Sequence, residues 1–253
     1  MSAHACITLS WDDGHSLDMR IAELMSWRGL RGTFYVPRSA EHVTLPAPQI
    51  RDLAHTFEVG AHTLDHVVLT NTPDGRAWDE ISGAKHWLED VAGVPCTLFC
   101  PPRGRYKSRH LQMMDQAGYH AVRTVEMMSV DWPRRRGNLL VMPTTMQAWA
   151  HDTRTYVQNA ARRFACRNLW RFLLHGRAKD WPALCDMLLA ETLRVGGVFH
   201  LWAHSWEIEE ECGGWQRLDE VLHLLGDCAR DVPALTNGEI CHIVEEERMG
   251  HCV

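Results

Sequence analysis

The sequence lacks several features that mark other classes of protein. Its formal net charge is −6 at pH 7, so it has no overall basic excess of the kind that nucleic-acid-binding proteins show. The clearest basic run, Arg134–Arg136, has no interleaved aromatic residues, and we interpret it as a solvated loop. We therefore expect no nucleic-acid partner.

Other absences concern redox chemistry and membranes. The nine cysteines include no C-x-x-C pair, which argues against a zinc ribbon or a dithiol redox site. No apolar run approaches the ~20 residues of a membrane helix, so we expect no membrane span. The N-terminal residues do not resemble a secretory leader, and we expect a cytoplasmic protein with reduced thiols. The sequence contains no signal for an oligomeric state.

What is present is an alternation of short apolar runs with amphipathic stretches, which predicts α/β units around a parallel sheet. Strands are predicted at residues 5–9, 32–36, 57–61, 97–100, 119–125 and 197–204. Helices are predicted at residues 18–28, 48–55, 74–91, 108–117, 153–174, 182–194 and 215–230. We expect one catalytic domain over residues 1–253, with a helical insert at about 150–195. The tail from residue 237 to 253 is expected to be disordered or an interaction surface.

Polar side chains follow several predicted strands. In parallel α/β folds catalysis collects at the carboxyl ends of the strands, so we expect these side chains to converge. They are Asp12 and Asp13 after the first strand, His62 and His66 after the third, Pro101 to Arg103 after the fourth, and His204 at the end of the last.

These residue types suit a metal site. His62 and His66 are four residues apart, so in a helical turn their rings would lie on one face. One carboxylate with two histidines is a donor set for Zn²⁺ or another divalent transition ion, such as Co²⁺, Ni²⁺ or Mn²⁺. Either Asp12 or Asp13 would bind the ion, and the other would take a proton from water. Taken separately, the acidic pair is also typical of a helix cap, and the histidine pair of a protein surface.

A second titratable group is expected from the last strand. Strand alternation places His200, Trp202 and His204 on one face. His204, at the strand end, would face the metal-activated water, which suggests a general acid. His200 would lie deeper, and we interpret it as structural.

The motifs together resemble a known family. Ser10 to Gly14 (S-W-D-D-G), His62 to His66 (H-T-L-D-H), Phe99 to Gly104 (F-C-P-P-R-G) and Leu201 to His204 (L-W-A-H) are similar in order and spacing to the polysaccharide deacetylases. This family is also called carbohydrate esterase family 4, or the NodB-homology domain. The resemblance spans about residues 5 to 230. It implies a distorted (β/α) barrel of about seven strands that hydrolyses acetyl groups on sugars.

The resemblance also implies residue roles. Asp12 would be the general base and His204 the general acid. Asp13, His62 and His66 would hold Zn²⁺ or a similar ion.

The sequence departs from the family pattern in two places. The family commonly has an arginine just before the proline pair, where it orients the base; Cys100 stands there, and we predict that Arg103 substitutes in part. An Asp-Trp pair commonly supports the acid; we favour Asp131 over Asp180 for this role. We expect the substrate pocket to be lined by Pro102, Trp132, Trp202 and Trp206.

The predicted function is that of a metal-dependent carbohydrate deacetylase that cleaves the amide C–N bond of an acetylated amino sugar. The expected location favours a lipid-linked or nucleotide-linked precursor, or a small acetylated metabolite, over a wall polymer. Two alternatives stay open. One is a hydrolase of another C–N bond, in a cyclic imide or ureide, and the other is a non-catalytic glycan-binding relative.

Overall fold

The computed structural model describes residues 5–162, 165–176 and 178–250. Its strands are β1 Ala5–Asp12, β2 Gly32–Val36, β3 Glu58–Ala61, β4 Leu98–Phe99, β5 Ala121–Arg123, β6 Arg134–Arg136, β7 Leu139–Met142, β8 Met146–Gln147 and β9 Gly197–His204. Its α-helices are α1 Asp18–Ser26, α2 Ala47–Thr56, α3 Asp74–Ala92, α4 Ser108–Gln116, α5 Thr153–Arg162, α6 Cys166–His175, α7 Trp181–Val195, α8 Ser205–Glu210, α9 Gly214–Cys228 and α10 Asn237–Gly250.

The strands form one sheet in the order β6-β7-β5-β4-β3-β2-β1-β9-β8. Neighbouring strands are parallel, apart from the antiparallel pair β6 and β7. The two longest strands, β1 and β9, lie side by side and are buried along nearly all of their length. Both strands are covered on each face, so even their polar side chains Thr8, Ser10 and His200 are fully buried.

The sheet curls into a distorted barrel. Only residues 143–145 separate β7 from β8, so the two behave as one bent strand. On one side Thr124 donates its backbone N–H to Met142 O at 2.9 Å, and on the other Thr145 donates to His200 O at 2.9 Å. The segment therefore joins β5 to β9, and the predicted barrel of about seven strands is confirmed.

The end of the barrel at which the strands begin is covered by α10. The Asn237 backbone N–H bonds Thr33 Oγ1 at 3.0 Å, near the start of β2. Ile240 and Cys241 are buried in the cluster inside the barrel. The expectation of a disordered tail is thus wrong over Asn237–Gly250, because buried residues of that helix close this end of the barrel. The alternative, an interaction surface, stays a prediction, and residues 251–253 lie outside the described chain.

Two other elements differ from the expectation. Arg134–Arg136 is an exposed edge strand rather than a loop, held by its pairing with β7 and by the contact of Arg134 with Glu126. The long helix predicted over 153–174 is divided into α5 and α6, with residues 163–164 outside the described chain. Among the described helices, none is both long enough and apolar enough to cross a membrane.

Candidate active site

The carboxyl ends of β1 and β3 bring three candidate metal ligands together. Asp13 Oδ1 lies 3.4 Å from His62 Nε2 and 3.0 Å from His66 Nε2. The three donor atoms all lie within 4.8 Å of one another. Asp13 and His62 are buried, and His66 is partly exposed towards the cleft, so substrate can reach the set from one side.

The backbone that presents these ligands differs from the expected helical turn. Residues 62–66 form a loop in which Thr63 and His66 have φ of 64° and 51°. Asp13 also has a positive φ, 77°, and the next residue is Gly14, where an added Cβ would meet Val36 Cγ1 at 2.7 Å. Left-handed non-glycine residues are uncommon and concentrate at functional sites, where the surrounding structure maintains them.

The tautomer of His62 is fixed by a backbone carbonyl. His62 Nδ1 lies 2.7 Å from Cys100 O, and because a carbonyl only accepts, Nδ1 must donate its proton. The neutral ring then presents the lone pair of Nε2 to Asp13 and the cleft. A metal-ligating histidine is oriented in the same way by a partner on its other nitrogen.

The donor set fits a divalent ion. Asp13 Oδ1 is buried and has no hydrogen-bond partner of normal geometry, and two imidazole nitrogens lie beside it, a position that suits a cation. Burial opposes ionisation of Asp13, but the contacts with His62 and His66 lower its pKa well below the usual range. One carboxylate oxygen and two imidazole nitrogens are the ligands of catalytic zinc sites that keep positions open.

A second group of donors overlaps the first but suits an ion less well. Asp12, His62 and Cys100 also lie within 4.8 Å of one another. However, Asp12 already contacts a guanidinium, and burial raises the pKa of the Cys100 thiol well above its ordinary value. The Asp13 set is therefore the better candidate.

The partner of Asp12 is an arginine that the sequence argument missed. Asp12 Oδ1 contacts Arg123 Nη2 at the end of β5, and both side chains are almost completely buried. Arg103, predicted to orient Asp12, is instead exposed at the rim of the cleft. That prediction is corrected: the strand next to the proline loop, rather than the loop itself, supplies the guanidinium.

Arg123 is held by two aromatic rings. Its guanidinium carbon lies 5.0 Å from the ring centroids of both Tyr35 and Trp202. Although burial favours the neutral form, the Asp12 carboxylate raises the pKa of Arg123 above its ordinary value, so the pair stays ionic. As a result, the Asp12 carboxylate is fixed beside the candidate metal ligands, and one of its oxygens already contacts a guanidinium.

The imidazole of His204 faces the same cleft. Asp12 and His204 are paired residues on the adjacent parallel strands β1 and β9, and His204 Nε2 lies 3.8 Å from Asp13 Oδ2. His204 Nδ1 bonds Glu207 Oε2 at 2.8 Å. Burial opposes protonation, but the bond and charge of Glu207, with Asp13 and Asp12, raise the pKa of His204 to about 9.

Neither aspartate predicted to support His204 does so. Asp131 lies 3.6 Å from an Arg167 nitrogen, and Asp180 caps α7 through the Ala183 backbone N–H at 2.9 Å. Glu207, in the first turn of α8, bonds His204 instead. The expectation that His200 is structural agrees with its complete burial and its 2.8 Å contact with Ser10 Oγ.

The cleft between these groups has a volume of about 310 Å³. Trp202 and Trp206 line it as predicted, and Trp206 Nε1 donates to Asp13 Oδ2 at 3.0 Å. Pro102 is buried, and its neighbour Arg103 forms that part of the wall. Trp132 packs against the cluster inside the barrel, so the prediction that it lines the pocket is wrong.

Glu207 and Arg123 both left weak signals in the sequence. Glu207 follows His204 by three residues, which is helical spacing, but no helix was expected there. Arg123 is a lone charge inside an apolar strand, the kind of residue that stays buried only with a partner. Nothing local in the sequence pairs it with Asp12, since 111 positions separate them.

Comparison with known proteins supports the predicted resemblance. A family profile described as Polysaccharide deacetylase matches residues 2–122, which hold the acidic turn and the histidine motif. The resemblance read from the motifs is thus confirmed for the first half of the chain. Among curated proteins no sequence matches significantly.

Solved structures extend the likeness to almost the whole chain. A Mycobacterium smegmatis protein proposed to be a polysaccharide deacetylase has a TM-score of 0.70 at 14% identity, over 98% of this chain and 92% of its own. The chitin deacetylase of Colletotrichum lindemuthianum has a TM-score of 0.57 at 15% identity, over 94% and 88%. A family 4 carbohydrate esterase from Bacillus anthracis has a TM-score of 0.56 at 14% identity, over 95% and 84%. At such identities the likeness establishes the fold alone.

Proposed function

Because the first half of the chain matches the polysaccharide deacetylases and the fold is theirs throughout, we propose that this protein is a metal-dependent carbohydrate deacetylase. It removes the acetyl group from an N-acetylated sugar, with the chain acting as one catalytic domain. The observation that carries the proposal is the meeting of three pre-arranged groups in one cleft. These are the donors Asp13, His62 and His66, the Asp12–Arg123 pair, and the His204–Glu207 pair.

Each group has a separate task in amide hydrolysis. A divalent ion held by Asp13, His62 and His66 supplies a Lewis acid for the acyl carbonyl and lowers the pKa of water. Asp12 takes the proton of the attacking water, because it is the carboxylate that does not belong to the donor set.

His204 completes the reaction from the opposite side. Its protonated ring gives a proton to the leaving amine nitrogen, so that the C–N bond breaks and acetate and a free amino sugar result. Glu207 keeps the ring oriented and charged before the transfer. Trp202 and Trp206 present flat apolar surfaces on which a sugar ring can lie.

The proposal is tested by acetate release from a panel of N-acetylated sugars, measured before and after chelation and again after Zn²⁺ or Co²⁺ is restored. We expect acetate and amine in equal amounts, activity lost on chelation, and recovery with metal. A cyclic imide and a ureide belong in the same panel.

Three outcomes would contradict the proposal. Ring opening without acetate release would assign the cleft to another C–N bond. Tight glycan binding without turnover of any metal-loaded sample would make the protein a binding relative. Full activity in a sample shown to be metal-free would remove the role of the donor set.

A further inference from the structure

A second cavity, of about 520 Å³, adjoins the catalytic cleft. Arg103 and Val125 line both spaces, so the two meet at that wall. The other side chains around the second cavity are Thr70, Arg105, Tyr106, Asn159 and Arg162. We call this space the arginine pocket.

The charge of the arginine pocket is uncompensated. Among the residues that the structure describes, no Asp or Glu lines it. Within the described part of the chain, no carboxylate forms an ion pair with Arg103, Arg105 or Arg162, whereas Arg109 nearby in sequence pairs with Asp74 at 2.7 Å. In a chain with 32 acidic and 26 basic residues, a lone unpaired arginine is ordinary surface, but three around one cavity point to an anionic ligand.

The loop that carries two of these arginines has a fixed position. Arg103 and Gly104 both have left-handed backbone, with φ of 57° and 60°. A Cβ at Gly104 would lie 2.2 Å from Val125 Cγ2, so only glycine lets the loop pack against Val125 at this distance. In the wall shared by the two cavities, the backbone at Gly104 therefore packs directly against the Val125 side chain.

The third arginine, Arg162, is positioned by hydrogen bonds that Asn159 of helix α5 makes with the segment after β5. Asn159 Nδ2 donates to Val125 O at 2.7 Å, and the Met127 backbone N–H donates to Asn159 Oδ1 at 3.1 Å. These bonds fix α5 against the segment that follows β5. Arg162 lies three residues beyond Asn159 on the same face of α5, which brings its guanidinium to the cavity.

We propose that the arginine pocket binds a phosphate group carried by the acetylated sugar, so that the substrate is a sugar phosphate or a sugar linked through a diphosphate. Guanidinium groups match phosphate oxygens in geometry and keep their charge at any physiological pH. The substrate part of the inference rests on the proposed deacetylase function. Anion binding by the pocket does not.

The two cavities would then bind different parts of one substrate, the acetamido group in the cleft and the phosphate in the arginine pocket. The cleft contains Asp12, Asp13 and Glu207, which repel a phosphate and favour the neutral acetamido group beside the metal ligands. The arginine pocket attracts the phosphate. A neutral polymer such as chitin has no group that would occupy it.

Anion binding is tested first, without turnover. Pyrophosphate binding is measured by titration calorimetry for the wild type, for the Arg105→Ala/Arg162→Ala double variant, and for Arg154→Ala. Arg154 is an exposed arginine at the start of the same helix α5. We expect binding to weaken about tenfold or more in the double variant, as for loss of charge-assisted bonds, and to be unchanged in Arg154→Ala. Any pyrophosphate held by an ion in the cleft contributes equally to all three proteins.

Substrate class is tested second, with N-acetylglucosamine, its 1-phosphate, UDP-N-acetylglucosamine and a chitin tetramer. We expect kcat/KM to be highest for a phosphorylated sugar, and the advantage over N-acetylglucosamine to fall about tenfold in the double variant, with partial recovery in Arg105→Lys/Arg162→Lys. The monophosphate and the diphosphate distinguish the two sources of the phosphate.

The results separate the two proposals. Absence of pyrophosphate binding in the wild type, or equal binding by the double variant, would overturn the arginine pocket. Preference of the wild type for the neutral tetramer would overturn the substrate class, whether or not the variants fold. The protein could also bind pyrophosphate through the two arginines and release no acetate. That result would support anion binding by the arginine pocket and contradict the proposed deacetylase function.

Discussion

The cleft and the arginine pocket share a wall but differ in whether their charged side chains are paired within the protein. In the cleft the main charges have partners inside the protein, since Asp12 contacts Arg123 and Glu207 bonds His204. Asp13 Oδ1, by contrast, is a buried carboxylate oxygen without a hydrogen bond of normal geometry. In the arginine pocket the guanidinium groups have no carboxylate partner among the described residues. We infer from this difference that the unpaired charges indicate a cation as ligand in the cleft and an anion as ligand in the arginine pocket.

The largest expected effect comes from Asp12→Asn. This change removes the group that accepts the proton but leaves the three metal donors in place. We expect kcat to fall by roughly 10²- to 10⁴-fold, the usual range for a general base, with unchanged metal content measured by mass spectrometry. Metal loss in this variant would show that Asp12 is itself a metal ligand. It would contradict the assignment of Asp12 as a base separate from the donor set.

A large effect on stability is expected from Arg123→Met. The change leaves the Asp12 carboxylate buried without a counter-charge, which costs about 3–5 kcal/mol for pairs of this kind. Thermal unfolding followed by circular dichroism should show a Tm lower by roughly 6–20 °C. The matched control is Arg109→Met, since the Arg109–Asp74 pair is exposed and should change stability by about 1 kcal/mol or less. Equal shifts in the two variants would contradict the claim that the cleft is internally compensated.

A smaller, pH-dependent effect is expected from Glu207→Gln. In the wild type the pKa of His204 is raised to about 9, so the acid is protonated across neutral pH. Loss of the Glu207 charge lowers that pKa, so His204 loses its proton at lower pH and the alkaline limb of kcat moves to lower pH. A profile that keeps its alkaline limb, with only a uniform decrease of kcat, would assign Glu207 a packing role.

The smallest effect is expected from salt. The arginines of the pocket are exposed, whereas the Asp12–Arg123 pair is buried, so ions screen the former much more than the latter. Raising the NaCl concentration from about 0.1 M to 1 M, which shortens the screening length from about 10 to 3 Å, should weaken turnover of a phosphorylated sugar several-fold. Turnover of N-acetylglucosamine should change little. If turnover of both substrates fell equally with salt, the proposed electrostatic difference between the two cavities would be contradicted.

The sequence predicted most of what lies at the ends of the central strands. Asp12, Asp13, His62, His66 and His204 meet because parallel strands deliver their carboxyl ends to one edge, a rule that needs only the strand positions. Those strands could be located because most of their residues are buried and apolar. The motifs then indicated the family, and the family resemblance predicted the barrel.

The remainder depended on contacts between distant parts of the chain. Arg123 could not be paired with Asp12, because a lone charge in a strand does not indicate which buried carboxylate it faces. The family's arginine at the position of Cys100 orients the base, and Arg103 was expected to take over that role. Arg103 instead follows the buried proline pair and is exposed at the rim of the cleft. Helix α10 escaped notice because its buried face consists of few residues, Ile240 and Cys241 among them.

In the proposed mechanism, Asp13, His62 and His66 bind the ion on which hydrolysis depends. The most direct measurement determines bound metal per chain and acetate release on the same samples of wild type, His62→Ala and His223→Ala, the last a change at an exposed histidine of α9. We expect about one ion per chain and full activity in the wild type and in His223→Ala. In His62→Ala we expect loss of metal and an activity at least roughly 100-fold lower. Wild-type metal content or wild-type acetate release in His62→Ala would contradict the proposed metal site.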